Sequence, residues 1–168
     1  MKNKMFYLLV LGQVVLLLIL AGQYYLIDSY GATFIIYLDD SQDYSFLGND
    51  RDVYVDYEIR EIPQEKWGIE REISSRENVY VKLEVNKDGV FEVVDVADHK
   101  LTPYDTDQII LKAKYIYDFS GRYFVEYGLQ DKIPVDYFVD VARDKPIVAS
   151  FQRAPWGQVK LIKIENEN

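Results

Sequence analysis

The residues closest to a recognisable chemistry are six oxygen-bearing side chains: Asp39, Asp40, Asp43, Asn49, Asp50 and Asp52. Calcium takes about 6–8 oxygen ligands, and a single loop can supply most of them. The spacing here matches no EF-hand pattern. A run of acids in a polar loop is more often a solvated connection, so Asp39, Asp40, Asp43, Asp50 and Asp52 are weak metal-ligand candidates. Catalysis has less to draw on. The one histidine, His99, sits between Asp98 and Lys100 with no metal or triad spacing around it. Ser29, Ser41, Ser45, Ser74, Ser75, Ser120 and Ser150 lack the glycine context of a nucleophile elbow. There is no cysteine, which removes thiol catalysis and thiolate metal sites. No glycine-rich phosphate loop is present. With 28 Asp and Glu, some carboxylate pair will occur by chance, so no glycosidase-type pair stands out. The chain is read as non-enzymatic, with no catalytic residue and no cofactor.

Aromatic residues offer a second kind of chemistry. Tyr54, Tyr57, Tyr80, Tyr115, Tyr117, Tyr123 and Tyr127 could line a surface for a glycan or peptide. More often such residues pack in a sheet with their hydroxyls at its rim. The best interaction-surface candidates are Tyr54, which points outward by strand alternation, and Trp156 in the Pro155-Trp156 turn. Exposed aromatics on loops are stronger hints than core ones.

Charge narrows the partners. Lys2 and Lys4 are the only charged residues before Asp28, so the remainder carries 17 Lys and Arg against 28 Asp and Glu, a formal −11. Such acidity argues against nucleic acid, because its phosphates need Lys and Arg to replace counterions. The same balance argues against a basic face for anionic lipid. It is compatible with cations or basic partners.

The element that must position all of this is Met5–Leu26, an apolar run without a charged residue. About 20 such residues suffice to cross a bilayer. Lys2 and Lys4 precede the run, and no Lys or Arg follows until Arg51. The positive-inside rule then puts the N-terminus in the cytoplasm and the C-terminal domain outside. Tyr24, Tyr25 and Tyr30 fall where an outer aromatic belt would lie. A cleaved signal peptide is the alternative, but Met5–Ala21 is longer than the usual ~7–15 residue apolar core. Gln13, beside Gly12, is the one strongly polar group in the span. It reads as a solitary amide or as a helix–helix contact.

After the anchor the pattern is β. Residues 1–28 are read as cytoplasmic stub and transmembrane anchor, and 29–168 as one extracytoplasmic β-rich domain. Strands are expected at Ala32–Asp39, Asp52–Arg60, Val79–Asn86, Val90–Ala97, Gln108–Phe119, Arg122–Leu129, Ile147–Arg153 and Gln158–Glu165. Period-two alternation supports most of them, as at Val79, Val81, Leu83 and Val85. Asn86-Lys87-Asp88-Gly89 closes a hairpin. Ile62–Trp67 is read as one helical turn that tucks Trp67 inward, with Pro63 at its first position. Val135, Phe138, Val139 and Ala142 predict a short helix over Pro134–Arg143. The sum is mainly β: an antiparallel sandwich or open barrel with one or two short helices.

The order of these features resembles the GDYXXLXY family of membrane-anchored bacterial proteins. The likeness spans nearly the whole chain. It rests on the anchor ending in aromatics, Asp52-Val53-Tyr54-Val55-Asp56-Tyr57-Glu58-Ile59, Glu61-Ile62-Pro63-Gln64-Glu65-Lys66-Trp67, Val79-Tyr80-Val81-Lys82-Leu83, Tyr127-Gly128-Leu129 and Ala154-Pro155-Trp156-Gly157-Gln158. Counted back from Tyr57, the motif's Gly-Asp-Tyr falls on Asp50, Arg51 and Asp52. Val55 stands for its leucine, and Tyr57 matches. The resemblance implies this topology and an outside location, and carries no activity. The function expected is a membrane-anchored accessory or interaction protein, beside a multi-span membrane partner. The alternative is a module for an envelope ligand, glycan or cation.

Overall fold

The computed structural model describes residues 2–39, 52–103, 105, 107–118, 121–138, 141–142 and 145–167. The apolar run forms one helix, α1 (Lys2–Tyr30). It is apolar all round, because Leu, Val and Ile fill every face. Among the described residues ten strands follow: β1 (Ala32–Tyr37), β2 (Asp52–Tyr54), β3 (Glu61–Ile62), β4 (Asn78–Val85), β5 (Phe91–Ala97), β6 (Gln108–Tyr117), β7 (Tyr123–Tyr127), β8 (Lys132–Pro134), β9 (Ile147–Arg153) and β10 (Val159–Asn166). They make three antiparallel sheets. A five-stranded sheet in the order β3-β7-β6-β4-β5 curls into a half-barrel. A three-stranded sheet has the order β1-β9-β10, and β2 pairs with β8. The expected mainly β architecture is what the chain adopts.

The hairpins follow their turn chemistry. Between β4 and β5, Asn86 donates its N–H to the Val90 carbonyl at 2.8 Å. Its side-chain oxygen accepts from the N–H groups of Asp88 and Val90. Gly89 has φ +83°, a conformation glycine adopts without steric cost. The β4–β5 register shifts between Lys82 and Leu83. Such a bulge adds twist to a curling sheet.

One hydrophobic core joins the sheets. Phe34 of β1 stacks on Phe151 of β9, with centroids 5.4 Å apart. Phe34 also meets Phe91 of β5 edge-on at 6.2 Å. Tyr57 closes on Phe151 edge-on at 5.6 Å. Val79, Val81, Leu83 and Val125 line the five-stranded side of the same core. Trp67 is half-buried, stacked on Tyr123 at 4.5 Å, and so does turn inward.

Three expectations need correction. Asp52–Arg60 is not one strand. Its backbone changes partner: Val53 pairs with Ile133 of β8, Val55 donates to the Asp131 carbonyl, and Tyr57 bridges to Leu38 beyond β1. A chain answered by two different neighbours cannot keep one ladder, and Glu58–Arg60 tightens into a 3-10 turn. The alternation itself holds, with Val55, Tyr57 and Ile59 buried. Second, the helix expected over Pro134–Arg143 is only a 3-10 turn, Val135–Tyr137. Pro134 ends β8 in an extended conformation, and Phe138 bridges to Ile164. The β-branched and aromatic residues there favour extended pairing. Val139 and Arg143 lie outside the described residues. Third, the turn after Ile62 is a 3-10 turn, Gln64–Lys66, with Pro63 preceding it as its cap.

The junction with α1 is packed. Ile27 is fully buried. The Gln152 side-chain amide donates to the carbonyls of Asp28 and Gly31, at 3.3 and 3.4 Å. Helix C-terminal carbonyls need such partners. Asp28 is unfavourably placed at the negative end of the helix dipole. Lys160 answers it with an ion pair of 2.7 Å. A Cβ at Gly31 would stand 2.5 Å from the Ile27 carbonyl oxygen and 2.6 Å from Cγ of Gln152, so the close approach requires glycine.

Truncating the Phe34–Phe151 stack empties the centre of the core. Phe151→Ala is expected to cost about 3–5 kcal/mol of unfolding free energy. Denaturant melts of the full chain in detergent, followed by circular dichroism, check this.

Candidate functional site

Val55 and Tyr57, the residues read as a family motif region, are structural. Val55 is buried, and its N–H donates to the Asp131 carbonyl at 2.8 Å. Tyr57 is 6% exposed, and its hydroxyl donates to the Gln130 carbonyl. The pair ties the segment after β2 to the approach to β8. Of the other tyrosines, Tyr115 and Tyr127 are buried, Tyr80 and Tyr123 half-buried, and Tyr54 and Tyr117 exposed. They do not form one aromatic surface. The Tyr127 hydroxyl donates to the Ile59 carbonyl at 2.8 Å. Burial raises its pKa well above the ordinary phenol value.

Tyr54 and Trp156 do lie outside, 67% and 49% exposed. The Lys132 ammonium stands 5.8 Å from the Tyr54 ring centre, a cation–π distance. Trp156 donates its indole N–H to Oε1 of Gln158 at 3.3 Å. These two aromatics belong to different sheets: Tyr54 ends β2, and Trp156 tips the β9–β10 turn.

Of the acidic candidates, Asp40, Asp43, Asn49 and Asp50 lie outside the described residues. Asp52 is ion-paired with Lys132 at 3.2 Å. Asp39 lines an open cleft of about 650 Å³ with Asp56, Glu58, Glu61 and Glu92. Asp56 is paired with Arg60 at 2.8 Å and Glu61 with Arg122 at 3.1 Å. Among the described residues no three His, Asp or Glu side chains are placed to hold a metal ion. His99 is three-quarters exposed, beside Asp98 at 3.2 Å. Tyr37 donates its hydroxyl to Glu167 at 2.5 Å, and that carboxylate pushes its pKa up to about 12.

A second cleft, of about 520 Å³, was not foreseen. Lys100, Leu101 and Pro103, from the connection after β5, line it beside Ile110 and Lys112 of β6. The β9–β10 turn supplies the opposite wall. Lys100, Lys112 and Arg153 line it, together with Leu101, Leu129 and Pro155. No Asp or Glu is among the described lining residues. Arg153 is half-buried, and burial alone holds its pKa below the usual guanidinium range. The three cations lie far apart in the chain, so no local motif announces them. Strand alternation places Lys112 on the outer face, which was the one usable signal.

Compared with known proteins, the chain matches no protein-family model, no curated protein and no solved structure.

Two residues before Lys100, the chain is held by charge. Arg71 donates to Asp98 at 2.6 Å and also to Glu77. The guanidinium holds both carboxyls below their ordinary pKa values. Their folded pKa values are depressed, so the contribution is complete above about pH 4.5 and fades as pH falls through the folded values. Thermal melts of the full chain between pH 3 and 7 should show this loss. Arg71→Gln should flatten the profile, and high salt should weaken it.

Tyr57→Phe removes the hydroxyl and leaves the Gln130 carbonyl without that donor. A loss of about 1–3 kcal/mol is expected. Tyr54→Ala, on the surface, should stay within about 0.5 kcal/mol. Equal losses in denaturant titrations would contradict the structural role given to Tyr57.

Proposed function

We propose that this chain is a single-pass membrane protein whose β domain lies outside the cytoplasmic side and acts as a non-enzymatic accessory or interaction module. One observation carries the reading. The helix over Lys4–Tyr30 is long and apolar enough to cross a membrane, and none of its hydrophobic stretch is buried by the domain. At 1.5 Å per residue it measures about 40 Å, enough to cross a ~30 Å hydrocarbon core with some tilt. It has no polar face, which an interfacial helix would need. An apolar surface of this size on a water-soluble monomer would be unusual. The orientation rests on Lys2 and Lys4 before the span and the acidic residues after it. The resemblance to the GDYXXLXY family supports the same placement.

Gly12 and Gln13 give the span a point of close approach for a membrane partner. A Cβ at Gly12 would meet nothing within 4 Å, so a second helix has room there. Small residues beside an amide favour helix–helix contact in lipid. A second reading, a ligand-binding module, is favoured by the Arg153 cleft.

The chain should stay in the membrane pellet after alkaline carbonate extraction. Protease added to intact spheroplasts should digest the β domain. Full protection of that domain would reverse the orientation, and release by carbonate would remove the anchor. Crosslinking in intact membranes with mass spectrometry should recover a membrane protein, and Gln13→Leu should reduce its yield. A chain found alone or linked only to itself would refute the accessory role.

A further inference from the structure

Composition and local charge disagree at the Arg153 cleft. The whole chain has 28 acidic and 19 basic residues, yet among the described residues this cleft presents Lys100, Lys112 and Arg153 and no carboxylate. Among the described residues none of the three cations has a hydrogen-bonding or ionic partner. A half-buried guanidinium keeps its charge, and burying it without an acceptor is unfavourable. Its fork of N–H donors matches the paired oxygens of a phosphate. Most of the remaining wall is apolar (Leu101, Ile110, Leu129, Pro155 and Val159), with Gln158, Tyr80 and Tyr127 among it, so the site is two-sided in chemistry.

Its place in the fold supplies the second argument. Helix α1 ends at Tyr30, and after Gly31 the first residue of β1, Ala32, pairs with Arg153. Arg153 also pairs with Val159 at the start of β10. The β9–β10 turn that carries Pro155 and Trp156 therefore lies at the end of the sheet where the helix enters. A smaller cavity of about 230 Å³ shares Leu129 with the cleft and reaches Ile27 in the last turn of the helix. The two cavities also share Gly128, Gln158 and Val159, so the cleft that Arg153 lines neighbours the end of the apolar helix. Exposed Trp156 sits at the same end, as interfacial tryptophans do.

We propose that this cleft binds the phosphate group of an anionic amphiphile, with the phosphate held by Arg153, Lys100 and Lys112 and the apolar part lying along Leu101, Leu129 and Pro155. The proposal rests on the anchored reading for its location at the bilayer edge. An acidic domain would be repelled by an anionic surface as a whole, so binding is through one saturable site rather than a basic face.

The test uses the full chain in a neutral maltoside detergent. Phosphatidylglycerol in mixed micelles, soluble glycerol 3-phosphate and uncharged dioctanoylglycerol are titrated separately, read by native mass spectrometry and by thermal shift. The expected result is one phosphatidylglycerol bound per chain. Arg153→Gln should weaken it roughly tenfold, the scale of one charge-assisted hydrogen bond. Lys100→Gln with Lys112→Gln should do the same, and because both side chains are exposed this variant separates loss of binding from loss of fold. If phosphatidylglycerol binds and glycerol 3-phosphate does not, the source is a membrane lipid. Equal binding of glycerol 3-phosphate, lost in the same variants, keeps the phosphate site and makes the source soluble. No saturable binding of either phosphate, binding unchanged in both variants, or equal binding of dioctanoylglycerol overturns the proposal. Carbonate extraction is scored separately. A chain that stays in the membrane but ignores phosphate refutes this inference and leaves the anchor standing.

Discussion

Strand β9 can bury five consecutive residues, Ile147 to Phe151, only because both of its edges are occupied. A buried backbone must have its N–H and C=O groups answered. Antiparallel ladders to β1 and β10 answer them along the whole strand. The inner face then carries Phe151 into the stack with Phe34 and Tyr57. One residue on, Gln152 caps the helix end, and the next, Arg153, enters the basic cleft. Core, junction and candidate site are thus three successive positions of one strand. Displacing that strand would disturb all three together.

The segment from Asp52 to Arg60 works as a cross-tie. It pairs first with β8, then with the end of β1, and turns into β3 beside β7. Tyr57 is the fixed point of this crossing, with its ring in the core and its hydroxyl on the backbone before β8. Val55 and Tyr57, expected from sequence pattern alone to mark a family, hold separate sheets together. Pattern likeness of this sort reports architecture rather than a ligand.

Much of the fold was legible from periodicity. Alternation at Val79, Val81, Leu83 and Val85, and the Asp88-Gly89 turn, place the β4–β5 hairpin correctly. Such pairs are local, and their turn chemistry is written beside them. The parts that escaped depend on distant partners. β8 is a three-residue strand, and β2 stops at Tyr54 because its neighbour changes. Neither fact has a signal within a few residues. Val135, Phe138, Val139 and Ala142 have helical spacing, but β-branched and aromatic residues beside Pro134 serve an extended bridge better. The cleft escaped for a different reason. Net acidity is a property of the sum, whereas binding depends on which charges converge. Lys100, Lys112 and Arg153 come from a connection, a strand face and a strand end. The acidic candidates gave the opposite lesson: of the two described, Asp52 is taken up by Lys132, and Asp39 lines a different cleft.

The helix passes into β1 through a single residue, Gly31, held by Gln152 and by the Asp28–Lys160 pair. A flexible tether lets a domain sample a hemisphere and dilutes every encounter at the surface below. Here the tether has no length. On the anchored reading, the face around Arg153 and Trp156 is presented to the bilayer continuously, at an effective concentration set by contact rather than by a chain's reach. A weak intrinsic affinity would then suffice for high occupancy. The opposite face is held at a fixed height and sweeps only laterally. Partners for that face are restricted to molecules that share the membrane plane or come down to it.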